Sequence, residues 1–232
     1  MWLRTSILLV LFSFSSCDVL QEVQSSLGEP SVAEIASGLK EALSIGVSKG
    51  SDELSKDKGY YDSPYKILLP AEARKVTDKL SKIPGFTTVE DEIIKKLNQA
   101  AEDAAASAKP IFLDAIKAMT FEDASNILLG APDSATRYLE NATSRNLYDK
   151  FQPVVVNSLN KFNAIEYWEK AMNTYNKIPF VDQVNPRLDD YVTNQALAGM
   201  FGMVEVEEKA IRTDPAKRVS QLLKKVFAKQ DS

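Results

Sequence analysis

The sequence predicts an all-α fold: a single compact domain of about eight or nine helices built around one central apolar helix. Apolar residues recur every three or four positions through most of the chain, as they do along one face of a helix. Capping residues, prolines and glycines divide these stretches into helix-like lengths. No segment has the sustained alternation or the hairpin dipeptides of β-strands, and no repeat of fixed period suggests a solenoid.

The first part of the domain is predicted to hold two helices and a loop. Ser31 and Glu34 have the spacing of a capping box and begin a helix whose apolar residues follow at helical spacing. Residues 59–70 are rich in Tyr, Asp and Pro, which predicts a loop. A short helix follows over 71–83, and the Pro-Gly pair after it ends that helix.

Prolines shape the helices predicted for the middle of the chain. An alanine-rich helix is expected over 87–109. Pro110 should kink or restart this helix because proline lacks the N–H group that the helix ladder needs. A short capped helix over 120–130 ends at a glycine, and a longer helical pattern over 132–161 is expected to bend near Pro153.

The last third of the chain contains the predicted central helix. An aromatic helix over 164–177 comes first. The longest apolar helix then begins at 185–186, and residues 196–206 are apolar almost all round, which is typical of a buried helix. Gly199 and Gly202 within this stretch should let a neighbouring backbone approach closely.

The amino-terminal residues resemble a bacterial lipoprotein signal. Arg4 and the amino terminus precede a short apolar run over 7–12, and small residues lead directly to Cys17. Phe14 stands where that signal usually has leucine. The run is shorter than the roughly 20 residues that span a bilayer, which favours cleavage over a retained helix. The resemblance implies that Cys17 is lipidated; the alternative is a signal peptide that is cut elsewhere, with Cys17 incidental.

These features divide the chain into three predicted parts. Residues 1–16 form a signal peptide, residues 17–30 a lipidated cysteine and polar tether, and residues 31–232 the helical domain. Several acyl chains hold a protein firmly at a membrane, whereas one holds it only marginally. We therefore expect an exported protein, anchored at the inner or outer membrane and facing the periplasm.

The absence of histidine removes whole classes of chemistry. It excludes Ser-His-Asp and Cys-His nucleophile systems and the usual ligands of zinc and non-haem iron. With Cys17 lipidated, no thiol remains either. We expect no metal and no cofactor. The net charge of −4 argues against nucleic acid as a partner, because non-specific binding of nucleic acid needs a basic surface.

Several short stretches carry a resemblance to a known family. They are residues 108–116, 119–124, 135–138, 190–193, 207–212 and 214–216. Their order and spacing resemble the bacterial family known as domain of unknown function 4197, from about Val32 to Phe227. The resemblance implies an exported bacterial domain. It implies no reaction, ligand or partner, because the family itself is uncharacterised.

Two hydrolase-like patterns lack the companions that their chemistry needs. Residues 46–50 match the Gly-x-Ser-x-Gly elbow, which requires a preceding strand and a histidine partner. Ser-x-x-Lys pairs such as Ser37 and Lys40 lack the Ser-Asp-Asn and Lys-Thr-Gly motifs of penicillin-binding enzymes. We interpret the first pattern as a helix end and the second as chance.

Seven polar residues within the family-like stretches form the candidate site. They are Asp114, Asp123, Arg137, Tyr138, Tyr191, Lys209 and Arg212. The favoured interpretation is an internal network of ion pairs and hydrogen bonds that fixes the packing of the helices, with Arg137 paired to a nearby acid. The alternative is a functional acid cluster that holds calcium or performs glycosidase-type acid–base chemistry.

Two pairs of charged residues lie at the end of the predicted central helix. Glu205/Lys209 and Glu208/Arg212 are spaced i, i+4 with the acid first, which is the favourable order on a helix. We interpret them as a solvated, salt-bridged face. The alternatives are internal ion pairs, or binding of an anion by Lys209 and Arg212 together.

Aromatic residues occur in two groups, and they have two interpretations. The groups are Tyr60, Tyr61 and Tyr65, then Tyr167, Trp168 and Tyr175. They could line a groove for a sugar or a peptide. Helical spacing within the second group favours packing in the core instead.

Taken together, these observations predict a lipid-anchored cell-envelope protein, foremost a non-catalytic binding or interaction domain. The alternative is a carboxylate-dependent enzyme that acts on an envelope glycan or another small substrate. A third possibility is a purely structural partner of other envelope proteins. The expected partners are the membrane, through the lipid anchor, and either an envelope protein or a small anionic or lipid ligand.

Overall fold

The computed structural model describes residues 28–120, 122, 124–181 and 187–231. These residues form eight α-helices and no strand, which confirms the predicted all-α fold. The helices are α1 (Val32–Leu54), α2 (Ala71–Leu80), α3 (Val89–Ala118), α4 (Ala124–Leu129), α5 (Ser134–Lys161), α6 (Ala164–Tyr175), α7 (Leu188–Thr213) and α8 (Gln221–Phe227). Two short 3-10 helices, Pro215–Lys217 and Ala228–Gln230, flank α8.

Four long helices, α1, α3, α5 and α7, build the core. α1 packs against α3 and α7, and α5 packs against the same two helices from the other side. The short helices α4 and α8 pack on α1, whereas α6 packs on α2, α3 and α5. One continuous apolar cluster joins all of these elements. None of the helices that the structure describes is long and apolar enough to cross a membrane.

Serine side chains cap two of the helix starts, those of α1 and α8. The Ser31 hydroxyl accepts a hydrogen bond from the backbone N–H of Glu34 at 3.2 Å, and the Glu34 carboxylate accepts one from the Ser31 N–H at 2.8 Å. These reciprocal bonds form the expected capping box of α1. At α8 the Ser220 hydroxyl accepts from the N–H of Leu223 at 3.0 Å.

The prolines do not divide the long helices. Pro110 lies inside α3, which runs unbroken for 30 residues; of the two expected effects, a kink or a restart, the restart does not occur. Pro153 likewise lies inside α5. Buried residues continue on both sides of Pro110, with Ala108 and Phe112 fully enclosed. This shared apolar face offsets the hydrogen bond that a proline removes from a helix.

Two expectations about the carboxy-terminal third need correction. Val206 on α7 is 57% exposed, so the predicted central helix keeps one face in solvent. The sequence predicts one final helix that opens at Asp214-Pro215 and has Val219 on its inner face. In the structure a 3-10 turn precedes α8, which begins only at Gln221, and Val219 is 74% exposed. In both places the apolar spacing is real, but none of the described helices covers these two side chains.

Gly199 and Gly202 on α7 accommodate tyrosine rings and not the neighbouring backbone that their spacing suggests. A Cβ atom at Gly199 would lie 2.7 Å from the ring of Tyr60, and one at Gly202 would overlap the ring of Tyr65. The hydroxyl of Tyr60 also donates to the carbonyl of Ala196 at 2.7 Å. Because these glycines have no side chain, the segment between α1 and α2 can pack closely on α7.

Candidate functional site

The six predicted polar residues that the structure describes do not converge on one site. Cys17 and Asp123 lie outside the described residues. Asp114 is exposed and pairs only loosely with Lys117, at 3.4 Å. The remaining residues fall into a surface cluster around Arg137, a buried pair at Arg212, and separate positions.

Arg137 at the start of α5 is the centre of the surface cluster. Its guanidinium donates to Asp133 at 3.0 Å, to Glu140 at 2.8 Å and to Glu205 at 2.6 Å. The first two contacts are local, and the third joins α5 to α7. Half of the Arg137 side chain is exposed. The predicted pairing of Arg137 with an acid is therefore present, but at the surface and with partners other than the candidate acids.

Glu208 on α7 is fully buried and caps the beginning of α5. One carboxylate oxygen accepts the backbone N–H of Ala135 at 3.0 Å. The other accepts the N–H of Thr136 at 2.7 Å and its hydroxyl at 2.6 Å. The first N–H groups of a helix have no partner within it, and a carboxylate at this end is also favoured by the helix dipole.

Arg212 lies one turn after Glu208 and is also buried. Its Nε donates to Glu208 at 2.9 Å, and its terminal nitrogens donate to the carbonyls of Leu128 and Ile127 at the end of α4. One ion pair on α7 thus satisfies the start of α5 and the end of α4 together. Among the described residues it is the pair with both side chains buried.

This geometry corrects the interpretation of the i, i+4 pairs as a solvated face. Glu208 and Arg212 are inside the protein, and Glu205 pairs with Arg137. Lys209 is exposed while Arg212 is enclosed by its carboxylate and carbonyl partners. The two cations therefore do not present one surface to an anion.

Tyr138 and Tyr191 each fasten one loop to a helix. The hydroxyl of Tyr138 on α5 donates to the carbonyl of Thr120, just after α3. The hydroxyl of Tyr191 on α7 donates to the carbonyl of Leu68 at 2.9 Å. Burial raises the pKa of Tyr191 above its usual range. Both phenols are placed as structural hydrogen-bond donors.

A different group of residues encloses the best candidate site. We name it the loop pocket: a cavity of about 250 Å³ between α3 and the turn that follows α1. Its lining residues are Asp57, Lys58, Tyr61, Lys95, Gln99 and Glu102. Two cations, two carboxylates, an amide and an aromatic ring therefore face one small volume.

Glu102 on α3 shapes the loop pocket. Only 6% of this residue is exposed, and one carboxylate oxygen accepts the backbone N–H groups of Tyr60 and Tyr61, both at 3.2 Å. Burial raises the pKa of Glu102 above its usual range, and the charge of Asp57 adds to this. The backbone N–H donors act in the opposite direction because they favour the carboxylate form.

A second polar residue one turn earlier on α3 holds the same loop. The side chain of Asn98 accepts from the N–H of Ile67 at 2.9 Å and donates to the carbonyl of that residue at 2.8 Å. Asn98 is fully buried. The two ends of the loop are thus fixed on α3 by side chains rather than by helix or strand pairing.

The loop backbone is strained where it borders the loop pocket. Lys58 has a φ of 60°, a left-handed conformation that is uncommon outside glycine, asparagine and aspartate. Non-glycine residues in such conformations persist only when their surroundings fix them, and they cluster at functional sites. Tyr61 is held as well, because the ammonium of Lys66 lies 3.5 Å from the centre of its ring.

The arrangement is suited to binding a small polar molecule. Lys58 and Lys95 can pair with an anionic group, whereas Asp57 and Glu102 can accept hydrogen bonds from a donor on the same molecule. Within the described part of the chain, no group of three acidic side chains is placed to hold a metal ion. The alternative interpretation, an acid cluster that holds calcium, is therefore not formed by those residues.

Of the residues that line the loop pocket, only Tyr61 stands out in the sequence, as one of the aromatic residues. Glu102 carried a usable signal, because it stands within the run Ala100-Ala101-Glu102-Asp103-Ala104-Ala105. An acid flanked by alanines along a helix is a candidate for burial with a specific partner. Asp57, Lys58, Lys95 and Gln99 carry no such signal, because charged surface residues are common everywhere.

Comparison with known proteins identifies the family. Residues 29–228 match the family described as proteins of unknown function, DUF4197. No curated protein and no solved structure is detectably similar to the chain. The match covers most of the chain and confirms the resemblance carried by the short stretches named above. The chain belongs to the DUF4197 family.

Proposed function

We propose that this chain is a lipid-anchored protein of the cell envelope that binds a small polar ligand without converting it. The loop pocket carries the proposal. It is a cavity with charged groups of both signs, walled by a strained loop that two buried side chains hold on α3. Such preorganisation of polar groups around a cavity is typical of ligand sites.

The charges of the loop pocket indicate the class of ligand. Lys58 and Lys95 are exposed at its edge and suit a carboxylate or phosphate group. Asp57 and the amide of Gln99 offer acceptors nearby, and the ring of Tyr61 offers an apolar face. A volume of about 250 Å³ is slightly below the roughly 300 Å³ at which pockets for drug-sized ligands begin, so the ligand must be small. The best fit is a small zwitterionic molecule, of amino-acid size.

The surroundings of Glu102 favour binding over turnover. Its carboxylate already accepts two backbone N–H groups, so it is committed to holding the loop. The chain has no histidine to share a proton-transfer role. The lipid anchor rests on the sequence around Cys17.

Binding is tested by calorimetric titration of the purified chain with L-glutamate and with inorganic phosphate. We expect measurable binding of the zwitterion, and a loss of at least tenfold in affinity for Lys95→Ala. The matched control is Lys82→Ala, an exposed lysine outside the loop pocket. Equal affinity in Lys95→Ala and Lys82→Ala would assign the binding to another surface.

A second candidate function, carboxylate-dependent catalysis, has one observation in its favour. Asp57 and Glu102 share the loop pocket, and the pKa of Glu102 is raised. Two carboxyl groups with different pKa values are the requirement for acid–base work on glycans. The test is hydrolysis of purified peptidoglycan by the parent chain and by Glu102→Gln. Release of sugar fragments by the parent alone would establish catalysis and overturn the binding proposal.

The anchor is tested separately by fractionating cells that express the chain or its Cys17→Ser variant. We expect the parent chain in the membrane fraction and the variant in the soluble fraction. Mass spectrometry of the parent should show an acylated amino-terminal cysteine. An unmodified mature terminus would disprove the lipid anchor and leave the loop pocket unaffected.

A further inference from the structure

The carboxy-terminal segment of this acidic protein is basic. Residues 209–231 contain five lysines and two arginines but only two aspartates, in a chain whose net charge is −4. The segment folds back onto the beginning of α1, because Val226 packs against Gly38 with no room for a side chain there. Positive charge is therefore concentrated at the end of the molecule formed by residues 209–231, which we name the basic end.

The acids near this segment are already engaged. Asp231 holds Arg218 with two hydrogen bonds, of 2.5 and 2.7 Å, and Asp214 accepts the N–H of Ala216 at 2.9 Å. Glu34 and Glu29 pair with two other lysines of the segment. Three exposed lysines have no ion pair with any described residue: Lys209, Lys217 and Lys224.

Exposed apolar side chains accompany these lysines. Val219 is 74% exposed and lies between Lys217 and Lys224 in the sequence. Leu129 is 63% exposed, and the carbonyl of the residue before it accepts a hydrogen bond from Gln230 at 2.8 Å. Lysines around exposed apolar residues form the pattern of a surface that rests on anionic lipid headgroups.

The polypeptide that leads to the proposed anchor enters the domain at the same end. Glu29 lies 2.9 Å from the ammonium of Lys229. Only ten residues lie between Cys17 and Gly28, and the eleven residue-to-residue steps span at most about 40 Å. A lipid on Cys17 would keep this end close to the bilayer.

The opposite end of the protein lies far from this entry point. The backbone carbonyl of Lys117, near the end of α3, accepts a hydrogen bond from the ammonium of Lys40 on α1. The ammonium of Lys96, on the same helix, donates to the backbone carbonyl of Phe162 beside α6. These two positions on α3 are about 30 Å apart at 1.5 Å per residue. α6 therefore provides control positions that are remote from the basic end.

We propose that the basic end, presenting Lys209, Lys217, Lys224 and Val219, docks directly onto anionic lipid headgroups. The proposed lipid anchor explains why the domain is near a membrane. The attraction between the lysines and anionic headgroups does not depend on that anchor. It fixes the orientation of the domain, so that the side of the molecule built from α6 points away from the membrane. Each lysine near an anionic surface strengthens binding about fivefold.

The test uses the full chain with Cys17→Ser, so that no acyl chain contributes. Binding is measured by co-sedimentation with vesicles of phosphatidylglycerol and, as a background, of phosphatidylcholine. We expect preference for the anionic vesicles, and a loss of about 25-fold or more when Lys217→Glu and Lys224→Glu are combined. The matched control, Lys170→Glu with Lys177→Glu on the α6 side, should retain binding.

Orientation is measured with a fluorescent label, since Cys17→Ser leaves the chain without cysteine. An environment-sensitive dye on Val219→Cys should shift to the blue with anionic vesicles, whereas the same dye on Lys170→Cys should not. Circular dichroism verifies that each variant is folded. Equal binding to both lipids, equal losses in the two charge-reversal variants, or a shift at both labels would each overturn the docking proposal. A lipidation failure would appear only in the cell fractionation above.

Discussion

The two arginine centres of this protein have similar chemistry and opposite surroundings. Arg137 contacts three carboxylates, yet half of its side chain is in water. Arg212 contacts one carboxylate and two backbone carbonyls, and is almost completely enclosed. Counting ion pairs would rank Arg137 as the more important residue. The structure indicates the reverse.

Burial determines how much stability is lost when an arginine is removed, because water solvates exposed charges. An exposed ion pair contributes about 0–1 kcal/mol, since each side chain is well solvated without its partner. A buried pair adds little net stability relative to apolar residues of the same shape, but losing one partner strands the other charge without water. Glu208 and Arg212 also saturate two helix ends, so their loss would leave backbone groups unpaired.

The largest expected effect is that of Arg212→Ala. It leaves the Glu208 carboxylate buried without its cation, and we expect a loss of about 3–5 kcal/mol in the free energy of unfolding. Urea denaturation followed by circular dichroism measures it. Lys209→Ala, an exposed neighbour on α7, is the control and should change stability by less than about 0.5 kcal/mol. Equal stability of the two variants would show that the pair is not buried in solution.

Glu208→Gln should have an intermediate effect. The glutamine keeps an acceptor for the start of α5 but loses the charge that Arg212 faces, and its NH2 group meets donors. We expect a loss of about 1–3 kcal/mol, the range for a buried hydrogen-bond partner left unsatisfied. The double variant with Arg212→Ala should be less destabilised than the sum of the two single variants, because the two residues are coupled.

Arg137→Ala should have a small effect, although the sequence alone predicts a marked fall in melting temperature. We now expect a loss of about 1 kcal/mol or less, because the arginine and its three acids are all partly solvated. The difference from the parent should shrink further in 1 M salt, where charges are screened within about 3 Å. A loss of 3 kcal/mol that persists in salt would show that the surface cluster around Arg137 matters as much for stability as the buried pair of Glu208 and Arg212.

The smallest effect concerns Glu34, whose ion pair with Lys225 is also partly exposed. Hydrogen bonds from Lys225 and from Ser31 lower the pKa of Glu34 from 4.5 to about 2. Since the folded pKa is below the unfolded one, the carboxylate stabilises the fold above pH 4.5, and this contribution is lost as the pH falls towards 2. Melting temperatures of the parent and Glu34→Gln should therefore converge over that range. Parallel curves would show that the bond to Lys225 does not form in solution.

The candidate site was less predictable than the fold. The loop before α2 was expected from its Tyr, Asp and Pro content, and the alanine-rich helix from its spacing. Their meeting was not predictable, because Glu102 lies about 40 residues from Tyr60 and Tyr61. Nothing in the sequence of the loop or of the helix indicates that the two are in contact. The charged residues around the loop pocket have the same types as ordinary surface residues. They line a cavity only because the loop is held against α3.

The sequence by itself predicted the all-α fold, most of the helical segments and the capping box that begins α1. Local spacing and capping, as in the Ser31–Glu34 box, depend on residues three or four positions apart. Only the tertiary structure decided which charges are buried and which apolar faces stay exposed. Glu205 and Glu208 have the same i, i+4 pattern, yet one lies in water and the other under α5. Burial depends on what packs against a residue, and that is fixed by contacts between residues distant in the chain.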